Sequence, residues 1–104
     1  MIKHIVLLAF ASEIEESKIK KALEKLGDLS KKEVPQIKSF SYGKNISPEH
    51  LDKGFNYAFI MEFANIKDRD IYLNNEAHKS IAVNDILPLL ANGINSAIVI
   101  DYKI

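Results

Sequence analysis

Two side chains in the stretch "YLNNEAHKS" have the chemistry to move protons. Tyr72 and His78 lie six positions apart. An imidazole titrates near ~6.5 when unperturbed, so His78 can accept a proton from a carbon acid near neutrality. A tyrosine hydroxyl can polarise a carbonyl by donating a hydrogen bond to its oxygen. The pair meets only if the Asn74–Asn75 step breaks the helix and turns both rings inward. Otherwise His78 caps the second helical piece against a backbone carbonyl. His4 is a third candidate, on the same strand face as Val6 and Leu8. On an apolar face it serves either as a satisfied core residue or as part of the same site. His50, in the polar loop "SPEHLDK", reads as solvated surface.

Other chemistries find no support. The chain has no cysteine, which removes disulfides, thiolate nucleophiles and cysteine–zinc sites and suits the cytoplasm. The three histidines show neither His-x-His nor His-Glu-x-x-His spacing, so no metal site is expected. "GKN" at Gly43 lacks the second glycine and the Lys-Ser or Lys-Thr ending of a phosphate loop. No cofactor is expected. Fourteen basic side chains balance fourteen acidic ones, so no net field favours nucleic acid or an anionic membrane. Lys3 and the apolar run Ile5–Ala11 imitate a secretory leader, but the segment falls short of the ~15 residues one needs. No run approaches the ~18 apolar residues of a membrane span.

The elements that must position these residues follow from periodicity. The 104 residues fit one domain, 1–104. "MIKHIVLLAF" reads as a strand, with Ile2, His4, Val6, Leu8 and Phe10 on one face and Lys3, Ile5, Leu7 and Ala9 on the other. Both faces are apolar, as in a strand covered on two sides. Ser12 and Glu15 have capping-box spacing for a helix with the stripe Ile19, Ala22, Leu23, Leu26. Glu16 and Lys20 can pair on its wet side. Residues 37–45 form a weaker strand, in which Phe40 and Tyr42 share an unassigned face. "FNYAFIMEFA" is the clearest strand, with Phe55, Tyr57, Phe59, Met61 and Phe63 on one face and Asn56, Ala58, Ile60 and Glu62 on the other. Asn65 with Asp68 marks a helix start, and a second helical piece runs from about Glu76 toward Leu90. "AIVIDY" closes the chain as a strand.

The order β-α-β-β-α-β predicts an α+β, ferredoxin-like protomer with a four-stranded antiparallel sheet and helices on one face. The other face would carry Ile5, Leu7, Ala58, Ile60 and Val99 or its alternates, which is too apolar for water. Two such faces packed together predict a homodimer.

"MIKHIVLLAF", "GKNISP", "KGFNYAFIMEF", "DRDIYL…AH" and the terminal "DY" occur in an order that resembles the stress-responsive α/β-barrel (Dabb) domain across nearly the whole chain. The resemblance implies sheets that pair into a dimeric α+β barrel. It also implies a pocket inside each protomer between sheet and helices. Many members are stress-induced or uncharacterised proteins. A few plant relatives are polyketide cyclases in which a tyrosine and a histidine act as an acid–base pair. Tyr72 and His78 match those positions, and His4 matches a strand-one histidine of the same pocket. Val6, Leu8, Tyr57, Phe59 and Met61 would line it and could receive a small apolar ligand. Asn75–Glu76 stands where the family often has His-Pro, and Tyr57 where cyclase-type members carry histidine; both departures weigh against a cyclase. The leading expectation is a small homodimer with a protomer pocket. The alternative is a cofactor-free lyase or cyclase acting on an apolar carbonyl compound. The related haem-degrading or aromatic-oxidising monooxygenases would call for a haem-ligand motif that the sequence does not show.

Overall fold

A computed structural model describes residues 1–104. Strand β1 is Ile2–Leu8, helix α1 Glu16–Gly27, β2 Ser39–Lys44, β3 Tyr57–Phe63, α2 Ile66–Asn74, α3 Glu76–Ile81 and β4 Ala97–Lys103. The sheet order is β2-β3-β1-β4, and all three pairings are antiparallel. The fold is α+β and ferredoxin-like. No helix is long and apolar enough to cross a membrane.

Register decides which residues meet the helices. His4 faces Met61 on one side and Asp101 on the other, and Val6 faces Phe59 and Val99. Residues directly opposite in an antiparallel pair share a sheet face. Ile2, His4, Val6 and Leu8 therefore join Tyr57, Phe59, Met61 and Phe63 beneath the helices, and all are buried. The stripe Ile19, Ala22, Leu23 and Leu26 of α1 closes over them. Phe40 and Tyr42 belong to this side as well. Phe40 packs 5.6 Å from Phe59, and Tyr42 donates to Glu24 of α1 at 2.9 Å. At the end of α1, Gly27 makes room for Phe40, since an added Cβ would collide with its ring.

Two local expectations need correction, and one left open is decided. Helix α1 starts at Glu16 and has no side-chain cap, so Ser12 and Glu15 do not form a capping box. The preceding chain is held otherwise: the Phe10 amide donates to Asn56, the Ala11 amide to the Leu89 carbonyl, and the Ile14 amide to the Ala11 carbonyl. Glu16 does not pair with Lys20; it meets Lys44 at the end of β2 at 2.6 Å, and Lys20 lies 3.9 Å from Glu24. Val99 is not on the helix-free face. Its register with Val6 turns it toward the helices, and Ile98, Ile100 and Tyr102 take the open face with Ile5, Leu7, Ala58 and Ile60.

Candidate active-site cavity

His4 is brought to the site by the middle of β1. Its ring is only 3% exposed and sits 6.1 Å from Phe59, 6.4 Å from Phe63 and 5.7 Å from Tyr72, centroid to centroid. Asp101 lies opposite on β4 and meets His4 Nδ1 through Oδ1 at 2.7 Å. A buried imidazole needs such a partner, because an unmet polar group in an apolar core costs ~1–3 kcal/mol.

Tyr72 arrives from α2. Asn65 caps that helix by accepting from the Asp68 amide at 2.8 Å, as its spacing predicts. Tyr72 is the one buried residue of α2, 1% exposed, with Phe63 5.5 Å away. Burial raises the affinity of its hydroxyl for the proton well above the ordinary tyrosine value, so the group stays protonated and able to donate.

His78 depends on the break between α2 and α3. Asn75 has extended backbone and accepts from the His78 amide at 3.0 Å, so Asn75, rather than His78, caps α3. This turn lays the His78 ring over Tyr72, with centroids 4.0 Å apart and planes 32° apart. His78 Nδ1 is buried with no hydrogen-bond partner. Burial lowers the proton affinity of the ring, nearby His4 and Lys79 add to the effect, and the Leu73 and Tyr72 carbonyls oppose it. His78 is therefore neutral near neutral pH and retains an acceptor nitrogen.

All three rings border a cavity of about 270 Å³ between the sheet and α3. Thirteen of its fifteen lining residues are hydrophobic, so its polar chemistry is concentrated on the His4–Tyr72–His78 wall. The far wall comes from the chain after α3, which widens into a π-type turn over Ala82–Ile86 and then tightens around Pro88. Ala82, Ile86, Leu87 and Leu90 face the cavity from there, with Ile94 and Val99 beside them. A larger concavity, about 530 Å³, lies on the open sheet face under Leu51 and Phe55, but His4, Tyr72 and His78 do not reach it.

Val6, Leu8 and Phe59 line the 270 Å³ cavity; Tyr57 and Met61 do not. Tyr57 packs edge-on against Phe10 at 5.3 Å, and Met61 is fully covered. The cavity thus spans less of β3 than the alternation suggests. His50 is exposed in the β2–β3 loop. No three His, Cys, Asp or Glu side chains gather at metal-binding distance. Two functional candidates escape sequence reasoning, Asp101 and its partner Arg69, which reaches Asp101 Oδ2 at 2.9 Å. The available signal is Asp101 itself, a single carboxylate closing the apolar run "AIVI".

A family model described as Stress responsive A/B Barrel Domain matches residues 2–104. The chain is 26% identical over 102 residues to the Arabidopsis thaliana stress-response A/B barrel domain-containing protein HS1, covering 98% of this chain and 88% of that one. Among solved structures, a dimeric ferredoxin-like protein of unknown function from Jannaschia sp. CCS1 superposes with a TM-score of 0.86 at 23% identity, over 99% of this chain and 98% of the other. The hydroxynitrile lyase of Passiflora edulis superposes with a TM-score of 0.82 at 21% identity, over 99% and 92%.

Proposed function

Because this chain belongs to the stress-responsive A/B barrel family, we propose that it acts as a homodimer joined through the helix-free sheet face, each protomer holding its own acid–base cavity. The observation that carries the cavity reading is the Tyr72–His78 contact at 4.0 Å, with His4 on the same wall of an otherwise apolar space. The ligand is a small, mostly apolar carbonyl compound. An engineered cavity of about 150 Å³ accepts benzene, so about 270 Å³ suits one ring with a short substituent. Tyr72 keeps its proton and donates to the carbonyl oxygen. His78 is neutral and takes the proton released as a carbon–carbon bond is made or broken. His4 supports the pair from the sheet. Such chemistry is a cofactor-free lyase reaction, and the protomer fold is one that also houses a hydroxynitrile lyase. The dimer has its support in the exposed apolar face and in dimeric proteins of the same fold. The cytoplasm is the proposed compartment, consistent with a chain free of cysteine.

The test is turnover of a panel of small aldehydes, ketones and cyanohydrins by the wild-type protein, His78→Ala and Tyr72→Phe. Loss of a positioned acid–base group costs roughly 10²–10⁴ in rate, and each variant is expected to fall by at least ~10². Equal turnover by wild type and His78→Ala removes His78 from the mechanism.

A further inference from the structure

Asp101 uses both carboxylate oxygens inside the protein. Oδ1 meets His4 Nδ1 at 2.7 Å, and Oδ2 accepts from Arg69 Nη1 at 2.9 Å. Arg69 is itself held, since its Nε and Nη2 both donate to Asp70 Oδ1 at 3.1 and 3.0 Å. The guanidinium is only partly exposed, 22% of its side chain, and so is Asp101, at 20%. Arg69 stands three residues before Tyr72 on α2, so the two share a helix face. The arrangement runs from α2 to β4 and then to β1, ending on a ring that borders the cavity.

The donor inventory gives this chain a direction. A guanidinium only donates, and an ionised carboxylate only accepts. His4 must therefore donate from Nδ1, and in the neutral ring Nε2 is left as the acceptor. We propose that Asp101 selects the His4 nitrogen that is free to accept a proton from a ligand, and that Arg69 is a positioning residue which fixes how the group at position 101 is presented to His4. This rests on reading the cavity as an acid–base site with His78 as the base, and it gives the supporting His4 a fixed acceptor nitrogen beside that base, while His78 Nδ1 has no such orienter. Arg69 would not touch the ligand. Its effect is to forbid any group at position 101 that has a donating end from turning that end toward Arg69.

That prohibition can be read directly. In Asp101→Asn the new amide has one accepting and one donating end. Arg69 can only donate, so it holds the amide oxygen and turns the NH2 toward His4 Nδ1. The ring proton must then move to Nε2. In Asp101→Asn combined with Arg69→Met the amide is free to rotate, and its oxygen can again accept from Nδ1–H. In Asp101→Asn combined with Arg69→Lys the ammonium also only donates, so the ring stays in the Nε2–H form. The experiment is nitrogen-15 spectroscopy of the imidazole rings in the full-length protein near neutral pH, with the three histidines assigned through His50→Gln and His78→Gln. The expected series for neutral His4 is Nδ1–H in wild type, Nε2–H in Asp101→Asn, Nδ1–H with Arg69→Met added and Nε2–H with Arg69→Lys added. A proton that stays on Nδ1 in Asp101→Asn, or on Nε2 after Arg69→Met is added, overturns the role of Arg69. If the Asp101 variants do not fold, a wild-type His4 whose proton sits on Nε2 overturns the proposal alone, and one on Nδ1 supports the selection by Asp101. The tautomer is read without substrate, so a failed turnover panel leaves this result standing on its own.

Discussion

His78 sits at the point where the proposed chemistry and stability meet. Its ring is held over Tyr72, and burial lowers its proton affinity below the ordinary histidine value. The unfolded chain binds that proton near pH ~6.5. Below that pH the unfolded state takes up more protons than the native one, so native stability falls as pH falls. The contribution is complete above ~6.5 and is lost on the way down through the lower native value. Glu16 and Glu62 also have lowered proton affinity, through Lys44 and Lys3, but their window lies below ~4.5. Urea midpoints between about pH 7 and pH 5 isolate the histidine. The wild-type midpoint is expected to drop across this range, and His78→Phe to drop less. Parallel pH profiles for the two proteins would mean that His78 is not buried as described. At this scale the sequence was informative about residue types. Tyr72, His78 and His4 stand out as scarce proton-transfer groups. Asp101 does not, because its importance comes from a register with His4 that only a folded sheet creates.

The break between α2 and α3 converts a sequence spacing into a ring-to-ring contact, the core of the proposed site. Six residues along an unbroken helix would be ~600° of rotation at 3.6 residues per turn, which puts the two side chains on different faces. Extended backbone at Asn75 resets the second helix and brings the rings to 4.0 Å. The two capping asparagines offer a matched comparison. Asn65 caps α2 and Asn75 caps α3, each accepting one amide at 2.8 and 3.0 Å. Replacing either by alanine should cost about 1 kcal/mol. Only Asn75→Ala should also disturb His78, seen as a change in its ring resonances and a loss of turnover larger than that of Asn65→Ala. If both variants lose stability and turnover alike, the cap is structural and does not set the site. These breaks are readable from sequence because an asparagine cap acts through its own neighbours. The unused Ser12–Glu15 spacing shows where that local logic fails. Bonds from Phe10 and Ala11 to Asn56 and Leu89 hold the approach to α1, and those partners lie far along the chain. The wide turn at Ala82–Ile86 is equally hidden. Pro88 gives no amide to the carbonyl four residues back, and the preceding turn opens so that Leu87 bonds Ala82.

For the whole molecule the unresolved demand is the open sheet face. Ile98 is 38% exposed, Ile100 55% and Tyr102 48%, alongside Ile60 at 37%. A Lys3–Glu62 ion pair of 2.8 Å, with Ser39 donating to Glu62, gives this face a polar margin. An apolar centre with a polar rim is the anatomy of a protein interface, and two such sheets can pack about 10 Å apart. Alternation in β1 and β3 reveals this face in the sequence. It cannot assign β4, because "AIVI" is apolar on both sides, and only pairing with β1 separates Val99 from Ile98 and Ile100. That ambiguity supplies a controlled experiment. Ile100 and Val99 are adjacent, both more than half exposed in the single chain, and point to opposite faces. Ile100→Lys places a charge on the open face, and Val99→Lys places the same charge at the cavity side. At micromolar concentration, light scattering should give the mass of a dimer for wild type and Val99→Lys and of a monomer for Ile100→Lys. A monomeric wild type removes the dimer altogether. Dissociation by Val99→Lys with Ile100→Lys intact would move the interface to the other side of the sheet, across the cavity mouth, and would make the partner copy part of the site.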